Sequence, residues 1–487
     1  MTDLTQYDAH AHADGDPGPQ GLRPDHLTGE ARLLAPAVVM TPDGPKEQYA
    51  VVVADGSFLA VGPAARLERQ HPHLTPLRLP GHVLMPGFVD AHHHLTQSFG
   101  SALAFGEPSE IFRRVWVPLE GALDEESAYV AAKLAALESL RGGFTTVADA
   151  GTRASVDVDV VASATRDAGI RCVLGLVCHD TEDAGDPSGP TRTADVLDRA
   201  EKHLARYEGE ALVHPSLAVA VPEAATAHTL RATARLAAEA GAVVQIHVNE
   251  HLAGVERSLV RHGLRPLEYL HEVGALGPQL LAAHATLVTP AELTLLADTG
   301  AAVSYNPVAS AWKGNAVAPA TTMAERGIRF GLGTDGTRGD GFRLVEAAEF
   351  AQRLTYGLAT GDSSCGAGWT WLEHAGPGGA DAVGLGALTG RIAAGAAADF
   401  LLVDASGPEM RPSWDLPWEL VRRGNRDQIT AVVVAGRLRM FQGRPVDWDG
   451  AALVRRAAEL AGEVVGRAGV ERVHRTSTDA RERSAAR

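Results

Sequence analysis

The chain has 487 residues, 45% hydrophobic and 21% charged, with a formal net charge of −16, which allows two or three packed domains of ordinary globular type. With Lys and Arg scattered rather than clustered, that charge argues against a nucleic-acid or anionic-membrane surface. Cys172, Cys178 and Cys365 make no CxxC and no even framework, which points to a reducing compartment. No run reaches the ~18 apolar residues of a membrane span, and the start "MTDLTQYDAHAH" has neither a basic n-region nor an apolar core. A cytoplasmic location is expected.

In chain order, residues 1–25 are polar and rich in Asp, Gly and Pro, and are expected to be a disordered tail. Residues 26–84 carry short apolar runs broken by turn signals, as in "ARLLAPAVVMTPDG" and "EQYAVVVADGSFLAVG", the pattern of a small β domain. From 85 to 395 short apolar runs alternate with helical stretches such as "EESAYVAAKLAALESLRGG". The predicted strands are Gly87–Ala91, Thr145–Ala150, Ile170–Val177, Leu212–Val221, Val243–His247, Gln279–His284, Ala301–Asn306 and Ile328–Gly333. Eight strands alternating with helices predict an α/β fold, a (β/α)8 TIM barrel. Residues 396–450 return to strands ("ADFLLVD", "ITAVVVAGRLRMF") and would complete a β-sandwich domain built from both chain ends. Residues 451–487 read as a C-terminal helix and a disordered tail.

Catalytic groups of a (β/α)8 barrel sit at the C-terminal ends of its strands. There strand 1 offers His92-His93-His94, strand 5 His247 with Glu250, strand 6 His284 and strand 8 Thr334-Asp335. Three histidines from two strands with one carboxylate form an N/O set suited to Zn2+ or Fe2+. Side chains alternate along a strand, so His92 and His94 share the barrel mouth while His93 points away. The similar string "DAHAH" at 8–12 has no apolar strand before it and no partner motifs, and is read as a chance copy.

The stretches "LMPGFVDAHHHL", "ALESLRGGFTTVADAG", "VVQIHVNE", "LLAAHATLV", "GIRFGLGTDG" and "GRIAAGAAADFLLVD" together resemble the amidohydrolase superfamily. In particular they look like the branch that holds the cytosine, guanine, 8-oxoguanine and S-adenosylhomocysteine deaminases and the triazine hydrolases. The resemblance implies one divalent metal per chain, zinc ahead of Fe2+, held by His92, His94, His247 and Asp335. No lysine lies near 212–221, where two-metal members carry a carboxylated one, so a single ion is expected.

The resemblance further implies a deaminase that removes the exocyclic amino group of a purine, pterin, pyrimidine or triazine ring as ammonia. Asp335 and His284 would take the proton of the attacking water, and Glu250 would shuttle a proton to the ring. Gln97, in "HHHLTQS", resembles the ring-reading Gln of the 8-oxoguanine deaminases; Trp116 and Arg338 are further candidates for substrate contact. Departures in "SYNPVASAWKGN" after strand 7, Tyr305 among them, and in "AVAVPEAAT" after strand 4 fall where a pocket would be lined. Two alternatives stand beside this reading. One is hydrolysis with another leaving group (alkylamine, chloride or amide); the other is a non-catalytic assembly protein on the same scaffold. The expected partners are a small heterocyclic substrate and further copies of the chain in a dimer or larger oligomer, with no nucleic acid and no membrane.

Overall fold

The computed structural model describes residues 21–107, 111–181, 191–474, 477–478 and 481–482; the "DAHAH" string lies outside them. A nine-stranded mixed sheet draws on both chain ends. Its first five strands are β1 (Ala31–Thr41), β2 (Gly44–Glu47), β3 (Tyr49–Ala54), β4 (Ser57–Pro63) and β5 (Pro76–Pro86). The barrel follows as β6 (Phe88–His93), β7 (Phe144–Asp149), β8 (Arg171–Val177), β9 (Val213–Val219), β10 (Val244–Val248), β11 (Leu280–His284), β12 (Ala302–Tyr305) and β13 (Phe330–Leu332). The chain then returns to the first sheet with β14 (Phe400–Asp404), β15 (Ile429–Val434), β16 (Arg437–Phe441) and β17 (Arg444–Pro445).

The eight central strands are all parallel and run in sequence order. Each overlaps one predicted strand, and helices separate most of them, so the fold is a (β/α)8 barrel. Burial on both faces suits their largely apolar runs, such as Cys172–Leu174 and Leu280–Ala283. Inside the barrel, small and branched side chains (Val89, Ala91, Ala148, Val173, Leu281, Ala302) meet the helix Pro377–Ala382, which closes the N-terminal end.

The composite sheet curls upon itself, as a sandwich does, because Phe58 of β4 packs on Phe400 of β14, ring centroids 5.8 Å apart. Its apolar core reaches back to Leu22 and Leu27, so buried structure begins within the stretch expected to be a tail.

One buried ion pair joins the two sheets. Arg171, at the start of β8, donates through Nε and Nη2 to the two carboxylate oxygens of Asp399 at 3.0 and 3.2 Å, and the pair is 2% and 1% exposed. Asp399 also accepts from Thr389 Oγ1 and the Ala435 N–H, both at 2.6 Å. Removing one member of a satisfied buried pair strands the other charge. Asp399→Ala should therefore lower the unfolding free energy by about 3–5 kcal/mol in chemical denaturation.

The C-terminal helix Gly450–Arg467 packs against Glu125–Arg141, burying Leu453, Ala457 and Leu460. Beyond it, within the stretch expected to be a tail, Arg472 Nε and the N–H groups of Val473 and His474 donate to the Glu107 carboxylate at 3.3, 3.0 and 3.1 Å. Arg114 adds a further contact at 2.8 Å. Burial works to raise the Glu107 pKa, but these donors outweigh it and hold it down to about 2. Because the folded value lies below the unfolded one, the stability gained is present above about pH 4.5 and is lost as pH falls toward 2. Glu107→Ala should free this segment at neutral pH, which trypsin would report as faster cleavage after Arg472.

Candidate active site

Strand 1 delivers its histidines through an ordinary pleat that breaks at its end: β6 stops at His93, and His94 precedes a 3-10 helix beginning at Leu95. The rings of His92 and His94 lie 4.9 Å apart, and His92 also meets the rings of His247 and His284 at 4.7 and 5.4 Å. His93 is buried outside this group; its ring lies under Gly336, where an added Cβ would come within 3.7 Å of its Cε1. His93 thus lies apart from the rings of His92 and His94.

Four residues at the barrel strand ends adopt positive φ without being glycine: Asn249 (52°), His284 (75°), Ala285 (47°) and Asp335 (54°). Each such conformation costs about 1–3 kcal/mol and persists only where surroundings impose it. Here it falls on or beside residues of the cluster. At Asp335 the surroundings are clear. Its N–H donates to the His92 carbonyl at 2.8 Å, and the preceding Thr334 donates its N–H and hydroxyl to Asp90 at 2.9 and 2.5 Å.

Four contacts define the centre. His92 Nε2 lies 3.4 Å from Asp335 Oδ1, His94 Nε2 lies 3.3 Å from the same oxygen, and His94 Nε2 lies 3.3 Å from His247 Nε2. A tetrahedral ion with ligand bonds of ~2.0–2.1 Å needs ligand atoms roughly 3.3–3.4 Å apart, so these spacings fit one. The fourth contact fixes a tautomer: His247 Nδ1 faces the Ala220 carbonyl at 2.8 Å, and a carbonyl can only accept, which leaves Nε2 as a lone pair toward the centre.

A looser grouping, with ligand atoms within 4.8 Å of one another, contains His92, His247, His284 and Asp335, with His284 in place of His94. The hydrogen bonding separates the two. Ser304 Oγ donates to Asn306 Oδ1 at 2.7 Å, which turns the Asn306 amide N–H toward His284 Nδ1 at 3.2 Å. His284 then carries its proton on Nε2 and faces the centre as a donor, 3.6 Å from Glu250 Oε2 and 3.9 Å from Asp335 Oδ2. Both nitrogens of His92 are buried without hydrogen-bond partners, a costly state that a cation would relieve.

Electrostatics favours ligation as well. Burial pushes the pKa of His94 down and that of His247 well down, and takes His284 down to about 3. Neutral imidazoles with free lone pairs are the form that binds metal. Burial alone would raise Glu250 and Asp335. The Lys313 ammonium, in contact with both, outweighs it together with the neighbouring polar groups and holds both well below the usual carboxylate range.

Lys313 is the residue sequence reasoning missed. It ends the short helix Pro307–Lys313 after β12, and its Nζ donates to Glu250 Oε1 at 2.8 Å and Asp335 Oδ2 at 2.7 Å. Asn315 Nδ2 reaches the same Glu250 oxygen at 3.3 Å, and His251 Nε2 lies 3.2 Å from it. The only signal was the unusual run "SYNPVASAWKGN", whose backbone path a sequence does not give.

The three candidates for substrate contact are dispersed. Gln97 is buried on the first turn after His94, its N–H donating to the His94 carbonyl at 3.2 Å. Trp116 packs in an apolar cluster with Leu119, Leu123 and Val464 of the C-terminal helix. Arg338 Nη2 pairs with Asp340 Oδ2 at 3.3 Å. Tyr305, expected to line the pocket, is fully buried with its hydroxyl donating to the Ala348 carbonyl at 3.2 Å. It packs on the outer helix because β12 ends with that side chain on the helical face of the sheet.

The amidohydrolase family matches residues 83–439, a span that takes in the barrel and most of the returning strands. The chain belongs to the amidohydrolase family. Among its curated relatives, a 5-methylthioadenosine/S-adenosylhomocysteine deaminase of Syntrophobacter fumaroxidans is 31% identical over 420 residues, covering 85% of this chain and 93% of its own. A 5'-deoxyadenosine deaminase of Methanopyrus kandleri is 30% identical, covering 78% and 86%. Of solved structures, an adenosine deaminase from Xanthomonas campestris with bound zinc superposes with a TM-score of 0.81 at 26% identity, covering 89% of this amidohydrolase and 98% of its own chain.

If the 3.3–3.4 Å contacts mark the ion's ligands, His92→Ala and Asp335→Asn should each reduce bound zinc, measured by elemental analysis, well below one ion per chain. His93→Ala should keep its metal and lose about 2 kcal/mol or more of stability through the cavity it leaves.

Proposed function

We propose that this amidohydrolase is a metal-dependent aminohydrolase that removes the exocyclic amino group of a purine-type ring as ammonia. It is a hydrolase acting on carbon–nitrogen bonds. The observation that carries the reading is the pair Glu250 and Asp335, two ionised carboxylates on either side of His284 at the mouth of the barrel. Relatives named as deaminases of adenosine derivatives support it. The ion, zinc ahead of Fe2+, would be held by His92, His94, His247 and Asp335 Oδ1, and when bound would lower the pKa of a water from 15.7 toward ~7.

The chain's own groups have distinct tasks. Asp335 divides its oxygens: Oδ1 faces the histidines, while Oδ2 is turned to His284 and Lys313 and can receive a proton. His284 Nε2–H, held by Asn306, stabilises negative charge developing on an oxygen between it and Asp335. Glu250 lies opposite and can pass a proton to a ring nitrogen and then to departing ammonia. Gln97 is proposed as a ring reader, since an amide donates to a ring carbonyl and accepts from a ring N–H. In the same reading the enzyme works in the cytoplasm, supported by three cysteines that form no disulfide. It works as a dimer or larger oligomer, supported by Phe350, Leu354 and Leu358 exposed along one stretch.

Ammonia release from adenosine, 5'-deoxyadenosine, S-adenosylhomocysteine, guanine and cytosine tests the activity; no ammonia from any aminated heterocycle would sink it. Glu250→Gln should keep the metal and lose about 10²–10⁴-fold in kcat, and wild-type rates in that variant would remove Glu250 from the chemistry.

A further inference from the structure

The C-terminal segment reaches the mouth of the barrel through a chain of direct contacts. Arg472 places its fork on two acceptors of the loop after β6: Nε donates to Glu107 Oε1 at 3.3 Å, and Nη2 to the Phe105 carbonyl at 3.1 Å. The N–H groups of Val473 and His474 add to the same carboxylate, whose side chain is fully buried. Further along the loop, the Glu471 N–H donates to the Arg114 carbonyl at 3.0 Å, and Arg114 Nη1 donates back to the Glu471 carbonyl at 3.2 Å. Every residue from Glu471 to His474 is thus bonded to this one loop.

Phe105 carries the tie onward. Its ring meets Trp312 edge-on, centroids 4.7 Å apart, although the two residues are 49% and 42% exposed. Trp312 precedes Lys313 on the helix Pro307–Lys313, and Lys313 Nζ lies 2.8 Å from Glu250 Oε1 and 2.7 Å from Asp335 Oδ2. The aromatic pair therefore forms a wall beside the two carboxylates, one ring from each loop. Rings so exposed have little packing of their own to hold them. On a free backbone they sample several rotamers, and a ligand that packs on them must immobilise them at a cost in affinity. With the Phe105 backbone fixed by Arg472, that ordering is completed on folding. The strand-end groups do not share this dependence, since His247 and His284 are held by the Ala220 carbonyl and by Asn306.

We propose that Glu471–His474 is a strap that preorganises the substrate-facing wall of the mouth, with Arg472 as its positioning residue, so that its loss weakens substrate binding and leaves the chemical step in place. The proposal rests on the deaminase reading for the position of the ring, but its first readout does not need turnover.

The zinc-loaded full chain is compared with Arg472→Ala, Arg472→Lys, a chain ended at Val470, and Arg456→Ala. The last removes a contact of the C-terminal helix with Glu126, at 2.9 Å, that touches neither Phe105 nor Glu107. In Arg472→Ala and the shortened chain, amide hydrogen exchange should quicken about fivefold or more in 99–107 and also in 307–315, with β10 and β11 unchanged. For whichever ring releases ammonia, KM should rise about tenfold while kcat stays within about threefold. Arg472→Lys keeps the charge but not the fork and should fall between; Arg456→Ala should match wild type. Exchange that quickens in 99–107 alone, a loss in kcat at unchanged KM, or an equal effect of Arg456→Ala overturns the strap's role. Should the shortened chain fail to fold, Arg472→Ala decides. Absence of ammonia from every ring counts against the deaminase reading instead, and exchange in 307–315 then decides the strap.

Discussion

The site depends on how the barrel closes. β6 and β13 are the two end strands of the eight-stranded order, and the chain at their C-terminal ends is tied together at the mouth by one buried carboxylate. Asp90 accepts from the His92 N–H, the Thr334 N–H and the Thr334 hydroxyl, while the Asp335 N–H reaches the His92 carbonyl. Burial raises the Asp90 pKa to about 7 against the pull of these bonds. The carboxylate is therefore retained at a cost in desolvation, and in return it fixes the backbones that carry His92 and Asp335 in one frame. No apolar residue could hold three donors from two strands.

Around that seam, most of the polar groups on the strand ends serve orientation. Ser304 orients Asn306, Asn306 orients His284, and the Ala220 carbonyl orients His247. Asp149, at the end of β7, accepts from the Leu95 N–H and so pins the start of the loop after the histidine triplet. Each of these partners sets a tautomer or a direction. The positive φ values at His284 and Asp335 belong to the same scheme: the backbone leaves the strand conformation where a side chain must turn toward the barrel axis rather than follow the pleat.

What the sequence revealed follows from this arrangement. The clustered histidines lie on strands or, for His94, one residue beyond a strand, and the period of two and apolar surroundings of strands are local properties, so His92, His94, His247 and His284 were legible and their separation from His93 could be reasoned. Asp335 and Glu250 were legible because they stand at fixed short distances after strand ends. Lys313 was not, because its reach into the site depends on the turn of a seven-residue helix in a loop. Trp116 and Arg338 looked equally suited to a pocket on residue type alone; an apolar cluster and a neighbouring Asp340 claim them instead. The pair Arg171–Asp399 spans 228 positions, a relation no local pattern encodes, and Glu107 is tied to residues 365–367 positions away.

Strands and loops also divide the chemistry. The groups that would hold an ion and move protons are fixed by ladders, buried carboxylates and strained strand ends, so they change little without loss of the whole site. The loops after β6 and β12 carry Gln97, Phe105, Trp312 and Lys313, and the first of them is secured separately, through Glu107 and the C-terminal segment. A barrel built this way can alter which ring it accepts by exchanging loop side chains, because the strand ends do not depend on them for their geometry. Lys313 shows how high the electrostatic stake of one loop side chain can be: its ammonium lies 2.8 Å from Glu250 and 2.7 Å from Asp335, so a single position on a loop bears on the charge of two strand-end carboxylates.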